Sequence, residues 1–210
     1  TSIIKKEHPE ISVKNVDSVT AIMDCDDTSG LAVLNFASYK NPGGKFLEGS
    51  SAQEESLCHS SILYNVLSRF HGYYHWNNQN KNCALYKNRA LFSPNVLFIR
   101  DSAVKQVDVI TCAAPNKTAA QRYQNISDDQ VSKELNSRIK FVLDLAREEE
   151  VETLILGAFG CGVFGNDARE VALLFKKHLL SGRYGFKQVI FAVPGNDYNF
   201  RTFNTVFKKR

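Results

Sequence analysis

Apolar runs alternate with polar, turn-like segments along most of the chain, which is typical of a protein that contains both strands and helices. Ile11–Val16 alternates apolar with polar residues and predicts a strand. Asp17 then stands where an N-cap would begin a short helix over Ser18–Met23. Leu31–Phe36 (LAVLNF) is almost wholly apolar and predicts a buried strand with an asparagine, Asn35, close to its end.

The centre of the chain changes character at about residue 70. Apolar residues recur at helical spacing over Ala52–Phe70 and predict one long helix. The next stretch, His71–Asn82 (HGYYHWNNQNKN), is rich in aromatic and amide side chains and predicts a long surface loop that holds the single tryptophan, Trp76. A self-packed loop is the structural interpretation of this stretch, and a lid or a partner surface is the functional one.

The second half continues the alternation. Ser127 and Gln130 have the spacing of a capping box, which predicts a second long helix that ends near Glu149. The remaining predicted strands are Val96–Ile99, Val107–Cys112, Thr153–Ala158 and Gln188–Val193, and the remaining predicted helices are Asp167–Leu180 and Asn199–Phe207. Strands that alternate with helices indicate an α/β fold, with helices on both faces of a mixed, mostly parallel sheet.

Length and composition narrow the class of protein. With 210 residues, 43% of them hydrophobic, the chain favours one globular domain spanning residues 1–210, which we expect to be a monomer. A net charge of +4 is mild, so we expect no sequence-specific binding of nucleic acid. Five cysteines without a CxxC pair argue against a structural zinc site and suit a reducing compartment. We therefore expect a cytoplasmic or nuclear protein that has no membrane span.

A glycine loop follows the strand predicted at Thr153–Ala158. The loop, Gly157–Asp167 (GAFGCGVFGND), contains the pattern Gly160-x-Gly162-x-x-Gly165 and leads into a helix. Bare backbone N–H groups before a helix N-terminus can hold a diphosphate. A dinucleotide-binding oxidoreductase would need further strand–helix units after this point, but only about 45 residues remain. We therefore keep the prediction that this loop binds a diphosphate and regard an oxidoreductase as the weaker alternative. A tight turn that holds no ligand is the structural alternative.

A second loop, Asn41–Gly49, comes after the strand that ends at Phe36 and leads to two adjacent glutamates. Loops at the carboxyl ends of parallel strands share one edge of a sheet, so the two glycine loops should border one cleft. Glu54 has capping-box spacing from Ser51, so it could cap the helix; Glu55 has no such explanation. Adjacent residues point about 100° apart on a helix, so the two glutamates are poorly placed to flank a glycosidic bond on opposite sides. If the protein is a glycosidase, one glutamate would transfer protons and the other would orient the sugar.

Taken together, these stretches resemble the bacterial-type poly(ADP-ribose) glycohydrolases, a catalytic branch of the macrodomain fold. The resemblance rests on residues 34–64, whose family signature is a Gly-Gly-Gly loop, a short spacer and Gln-Glu-Glu. It continues in Ser93–Asp101 (SPNVLFIRD), in GAFGCGVFGND and in the closing VIFAV and FRTFNTVF segments. The resemblance implies a three-layer α/β/α macrodomain that hydrolyses poly(ADP-ribose) and reverses ADP-ribosylation, without a metal or a cofactor.

The resemblance also implies a role for each matching residue. Glu55 matches the general acid and base, and Glu54 matches the glutamate that orients the scissile ribose. The matching substrate-binding positions are Asp17 at the adenine, Asn35 at the terminal ribose, Gln53, Gly43 and Gly44 beside the ligand, Gly160, Cys161, Gly162 and Val163 at the diphosphate, and Phe164 against the terminal ribose. The expected partners are poly(ADP-ribose) or ADP-ribosylated macromolecules as substrate and ADP-ribose as product.

Lys45 departs from the signature, which has glycine at this position. If the backbone there has a positive φ, lysine costs about 1 kcal/mol. Its side chain could project into solvent, pair with a phosphate, narrow the cleft toward chain ends or impair hydrolysis. The alternative functions are therefore a weakly active or non-catalytic ADP-ribose-binding module and a hydrolase of mono-ADP-ribosyl linkages.

Overall fold

Six strands form one sheet at the centre of the molecule, for which we use a computed structural model that describes residues 8–195 and 197–208. The strands, in chain order β1 to β6, are Glu10–Lys14, Leu31–Phe36, Ala90–Arg100, Ala103–Cys112, Thr153–Leu156 and Gln188–Ala192. Their order across the sheet is β1-β6-β5-β2-β4-β3. Neighbouring strands run parallel except for β3, which pairs with β4 in antiparallel orientation at one edge.

Helices cover both faces of this sheet. In chain order, α1 to α8 are Ser18–Met23, Gln53–His59, Leu63–Leu67, His71–Gln79, Lys117–Gln124, Asp128–Glu148, Ala168–Leu179 and Tyr198–Phe207. Alternate residues of β2 point to opposite cores: Ala32 and Leu34 pack with α6, α7 and α8, whereas Leu31 and Val33 pack with α1, α2 and α3. The predicted three-layer α/β/α architecture is therefore confirmed.

Local signals in the sequence locate several elements correctly. Asp17 caps α1 by accepting a hydrogen bond from the Thr20 N–H, and Ser127 with Gln130 forms the predicted capping box of α6. The predicted strand at Leu31–Phe36 has the observed bounds. The strands predicted at residues 96–99 and 107–112 are parts of the longer hairpin of β3 and β4. The sequence analysis missed α5, which Asn116 caps through the Ala119 N–H.

Two predictions in the centre of the chain are wrong. The single helix predicted over Ala52–Phe70 is interrupted after α2, because residues 60–62 pair with β3 instead: the Ile99 N–H donates to the Ser60 carbonyl, and the Ile62 N–H donates to the Leu97 carbonyl. The loop predicted over His71–Asn82 is largely helical, since α4 occupies His71–Gln79. Tertiary contacts outweigh the local sequence pattern in both segments.

Candidate active site

The carboxyl ends of the five parallel strands lie along one edge of the sheet, and both glycine loops leave from that edge. Strands β2 and β5 are direct neighbours, so the loop after β2 and the loop after β5 adjoin each other, as the sequence predicted. The rings of Phe36 and Phe159, one from each side, lie 5.6 Å apart. A Cβ atom at Gly157 would lie 2.6 Å from the Ala192 carbonyl oxygen, so glycine is needed for this close approach.

Two glycines in the first loop make room for the glutamate side chains. Gly43 and Gly44 both have positive φ, of 67° and 60°. A Cβ atom at Gly44 would lie 2.5 Å from Glu55 Oε1 and 3.0 Å from Glu54 Oε2. Both carboxylates therefore press against the backbone at Gly44, and the signature glycine leaves the space that they occupy.

Glu54 lies at the start of α2 and is 3% exposed. It does not cap the helix, because the N-cap is Ala52 and α2 has no side-chain cap. Instead, Glu54 Oε2 accepts a hydrogen bond of 2.6 Å from the Ser38 N–H, and Oε1 accepts one of 3.2 Å from Asn35 Nδ2. The capping-box interpretation of Glu54 is therefore wrong, and its two oxygens are held by Asn35 near the end of β2 and by Ser38 just after it.

Glu55 is 6% exposed but is held at one oxygen only. Its Oε1 accepts a 2.8 Å hydrogen bond from the Lys45 N–H. Its Oε2 has no hydrogen-bond partner among residues 8–195 and 197–208, and it is not one of the buried unpartnered atoms of that part of the chain. One oxygen of Glu55 thus remains open for proton transfer, which is not the case for Glu54.

Burial raises the pKa of Glu54 to about 8. The hydrogen bonds from Ser38 and Asn35 oppose this shift, and the neighbouring Glu55 carboxylate adds to it. A substantial fraction of Glu54 therefore carries a proton at neutral pH.

Gln53 and Asn35 connect the start of α2, which carries the two glutamates, to strand β2 through hydrogen bonds. Gln53 Oε1 accepts from the Phe36 N–H at 2.8 Å, while its Nε2 donates to the Leu34 carbonyl and to Ser18 Oγ. Asn35 is fully buried and donates also to Thr111 Oγ1, a residue on β4 that the sequence analysis did not identify. Because Thr111 and Asn35 are register partners on adjacent strands, only the sheet brings them together.

Lys45 proves to be unstrained. Its φ is −107°, so the positive φ considered in the sequence analysis is absent. Its side chain is 71% exposed and lies 3.8 Å from the equally exposed Glu48 carboxylate. An exposed pair of this kind contributes little to stability. The backbone N–H of Lys45 contacts Glu55, a hydrogen bond that a glycine would also provide, and a role of the side chain in substrate binding stays a prediction.

The second loop is shaped by one glycine and one asparagine. Gly160 has φ 74°, and a Cβ there would lie 2.5 Å from Asn166 Nδ2 and 2.6 Å from the Ala114 Cβ. Asn166 donates to the carbonyls of Gly160 and Pro115, which fixes the loop against the segment after β4. Gly162 has open space around it, and Val163 beside it is 89% exposed. The chain at Gly162 and Val163 is therefore accessible to a ligand, and Asp167 caps the helix that follows.

Cys161 in this loop is not activated as a nucleophile. Burial raises the pKa of its thiol to about 12, with the Asp167 carboxylate acting in the same direction. A thiol with so high a pKa is protonated at physiological pH and reacts slowly. We therefore assign no covalent chemistry to Cys161.

Phe164 belongs to an aromatic cluster that the sequence analysis did not identify. Its ring lies 6.1 Å from that of Tyr86, and Tyr86 stacks on Tyr39 with 4.2 Å between the ring centroids. Tyr39 follows β2, Tyr86 precedes β3, and Phe164 lies in the second glycine loop. Residues so distant in the sequence carry no local signal that they meet, so the cluster becomes visible only in the folded chain.

Asp17 lies at the same edge of the sheet, two strands away from β5. Its carboxylate accepts from the Thr20 N–H at 2.8 Å and from Thr20 Oγ1 at 2.9 Å, and it lies 3.6 Å from Arg100 Nη1. Although burial opposes the shift, the hydrogen bonds from Thr20 hold the pKa of Asp17 below its usual value. The carboxylate is therefore an acceptor at neutral pH, and its contact with adenine stays a prediction.

Among residues 8–195 and 197–208, no group of three or more His, Cys, Asp or Glu side chains is arranged to hold a metal ion. None of the helices in those two ranges combines the length and the apolar character needed to cross a bilayer.

Comparisons with known proteins give a consistent result. Residues 1–101 match the family described as the microbial-type PARG catalytic domain. A crystal structure of poly(ADP-ribose) glycohydrolase from Deinococcus radiodurans in complex with ADP-ribose is 37% identical, with a TM-score of 0.87, over 95% of this chain and 84% of that chain. No curated protein matches the chain.

A second organism is represented among the similar structures. Poly(ADP-ribose) glycohydrolase from Thermomonospora curvata is 31% identical, with a TM-score of 0.86, and the match covers 99% of this chain and 80% of that chain. The same enzyme bound to the inhibitor ADP-HPD is 32% identical, with a TM-score of 0.85, over 96% of this chain and 80% of that chain. The likeness extends over the part of the chain that contains both glycine loops.

Proposed function

The chain belongs to the microbial-type poly(ADP-ribose) glycohydrolase family, and on that premise we propose that the cleft between its two glycine loops hydrolyses poly(ADP-ribose) with Glu55 as general acid and base. One observation carries the assignment to Glu55. Its Oε2 is open while its Oε1 is fixed by the Lys45 N–H, whereas both oxygens of Glu54 are held by the chain.

The ligand is an ADP-ribose unit at the end of the polymer. Its diphosphate lies over the backbone of Gly160, Cys161, Gly162 and Val163, which precedes a helix N-terminus. Its terminal ribose lies between Phe164 and the two glutamates, and its adenine extends toward Asp17. The adjoining positions of the two loops support this pose, because one loop can hold the diphosphate while the other faces the sugar.

The reaction breaks the glycosidic bond between C1 of the terminal ribose and the oxygen of the preceding unit. Glu55 donates a proton to that leaving oxygen as positive charge develops on the sugar in an oxocarbenium-like transition state. Glu55 then takes a proton from a water molecule, the hydroxyl adds to C1, and ADP-ribose leaves. Glu54 orients the ribose, and Asn35, Gln53, Gly43, Gly44 and the Lys45 N–H keep the two carboxylates in place.

Finer properties are also part of the proposal. Residues 1–210 act as one catalytic domain and as a monomer, in the cytoplasm or the nucleus. The substrate is poly(ADP-ribose) free or attached to a macromolecule, and the single continuous sheet of the molecule supports one catalytic unit.

The decisive experiment replaces Glu55 with glutamine. We expect Glu55→Gln to lower the rate of ADP-ribose release from labelled poly(ADP-ribose) by about 10²- to 10⁴-fold, since proton transfer is lost. Binding of ADP-ribose, measured by calorimetry, should change by less than about threefold. Glu48→Gln is the matched control, because Glu48 is an exposed glutamate in the same loop.

The outcomes separate the candidate functions. A Glu55→Gln variant as active as Glu48→Gln would contradict the assignment to Glu55. A parent chain that binds ADP-ribose but releases none from the polymer would instead support the binding-module alternative.

A further inference from the structure

One segment of the chain lacks acidic residues altogether. Residues 56–100 contain five Lys and Arg residues and no Asp or Glu, whereas the average content of the chain, 22 acidic residues in 210, would place about five there. The segment is also rich in aromatic and amide side chains. Positive charge interleaved with aromatic rings is the composition of surfaces that bind single-stranded, phosphate-bearing polymers.

The structure gathers part of this segment into one surface. We call it the basic face and define it by Trp76 on α4 and by Lys81, Lys87 and Arg89 on the residues that follow α4. The Arg89 guanidinium carbon lies 4.1 Å from the centroid of the Trp76 ring and 4.8 Å from that of Tyr73. Trp76 is still 39% exposed, and Lys81 and Lys87 project into solvent.

The charges of the basic face are not neutralised by nearby carboxylates. Within the two described ranges, no Asp or Glu oxygen lies within 4.0 Å of the charged nitrogens of Lys81, Lys87 or Arg89. Arg89 donates to an amide oxygen, Asn77 Oδ1, at 3.1 Å. Without a carboxylate beside them, the charges of the basic face keep their attraction for an anion.

Helix α4, which carries Trp76 of the basic face, is hydrogen-bonded to the segment that also holds Glu54. Ser38 donates its N–H to Glu54, and the next two residues accept hydrogen bonds from α4: the Tyr39 carbonyl from Asn77 at 2.9 Å and the Lys40 carbonyl from Asn78 at 3.0 Å. Tyr39 also stacks on Tyr86, which neighbours Phe164. Helix α4 and the residues after it thus contact the chain on both sides of the position proposed for the terminal ribose.

We propose that the basic face binds the next ADP-ribose unit of poly(ADP-ribose), the one on the leaving-group side of the scissile bond. This inference rests on the proposed function. The leaving unit carries a diphosphate with two negative charges and an adenine ring, and it emerges at the terminal ribose, next to α4. Lys81 and Lys87 attract the diphosphate. The adenine stacks on the exposed ring of Trp76, which the Arg89 guanidinium contacts through a cation–π interaction.

The test uses two variants chosen to keep the fold. Lys81→Glu combined with Lys87→Glu reverses two exposed charges, and Trp76→Leu removes the aromatic ring while keeping apolar bulk. We expect each to raise KM for long poly(ADP-ribose) about five- to tenfold, with kcat within twofold of the parent and with unchanged binding of free ADP-ribose. For the double variant, the plot of log binding constant against log salt concentration should also be shallower by about 1.4, because two phosphate contacts are lost.

Lys177→Glu is the matched control, since Lys177 is an exposed lysine on α7, far along the chain from the basic face. Polymer binding is also measured in a Glu55→Gln background, so that it is read without turnover. If the parent fails to hydrolyse the polymer, the proposed function fails, and the binding measurement still decides on the basic face. Polymer binding and KM equal to those of Lys177→Glu would overturn the inference. Single-stranded DNA that competes as well as the polymer, and is lost in the same variants, would overturn it in favour of a nucleic-acid surface.

Discussion

Gly44→Ala tests whether the backbone of the first loop positions Glu55. Alanine at Gly44 would take a φ of 60°, which costs roughly 1–2 kcal/mol for a residue with a Cβ. Its Cβ would also lie 2.5 Å from Glu55 Oε1, against the 3.4 Å at which ordinary contact begins. The carboxylate must therefore move by about 0.9 Å, and a misplacement of about 1 Å can lower a rate by on the order of 10²-fold.

Gly49→Ala supplies the matched control for this prediction. Gly49 has φ 80° in the same loop, and nothing lies within 4 Å of the Cβ that it would gain. Both variants should therefore lose a similar 1–2 kcal/mol of unfolding free energy, roughly, in urea titrations. Only Gly44→Ala should lose about 10²-fold in kcat on poly(ADP-ribose). Hydrolysis by Gly44→Ala within threefold of Gly49→Ala would refute the role that we give to this backbone.

Three further predictions concern the second loop, the proton on Glu54 and the lysine in the signature. Gly160→Ala should weaken ADP-ribose binding at least tenfold in calorimetry, because the new Cβ would collide with Ala114 and Asn166. Gly162→Ala is the control, since Gly162 has open space around it, and it should bind ADP-ribose within threefold of the parent. Equal losses in the two variants would contradict the diphosphate site proposed at this loop. Because the folded pKa of Glu54 is raised from 4.5 to about 8, its contribution to stability is fully present below pH 4.5 and is lost as pH rises through 8. Glu54→Gln cannot titrate, so its unfolding free energy relative to the parent should rise between pH 5 and 9, by up to roughly 5 kcal/mol; a flat difference would show that burial does not shift this group. Lys45→Gly should hydrolyse long and short polymers at rates within twofold of the parent, because Glu55 needs only the N–H of residue 45. A larger change in rate on either substrate would show that the Lys45 side chain takes part in substrate binding.

Local signals located much of the fold because their physical causes are local. The caps of α1 and α6 depend on side chains within three residues of the helix start. The strand at Leu31–Phe36 depends on an apolar run that is buried from both faces. Where a remote strand competed, the local signal failed: residues 60–62 leave the predicted helix to pair with β3.

The failure at α4 has the same origin. A polar, aromatic stretch reads as a loop when it is considered alone, yet Asn77 is fully buried and donates to the Tyr39 carbonyl. This partner lies 38 residues away, and no window of neighbouring residues contains it. The same helix carries Trp76 of the basic face, so the local pattern concealed the structure that supports this surface.

Within the site, residue types and tertiary geometry contributed different information. The sequence by itself determined the fold class, the two glycine loops at one sheet edge and the identity of the two glutamates, because spacing and residue type carry that information. Only the tertiary structure decided that Glu54 is held at both oxygens and Glu55 at one, and that the hydrogen bond to Glu55 comes from the Lys45 backbone. Burial, hydrogen-bond partners and the sign of φ depend on atoms that residues distant in sequence bring together, so the roles of the two carboxylates separate only when the chain is folded.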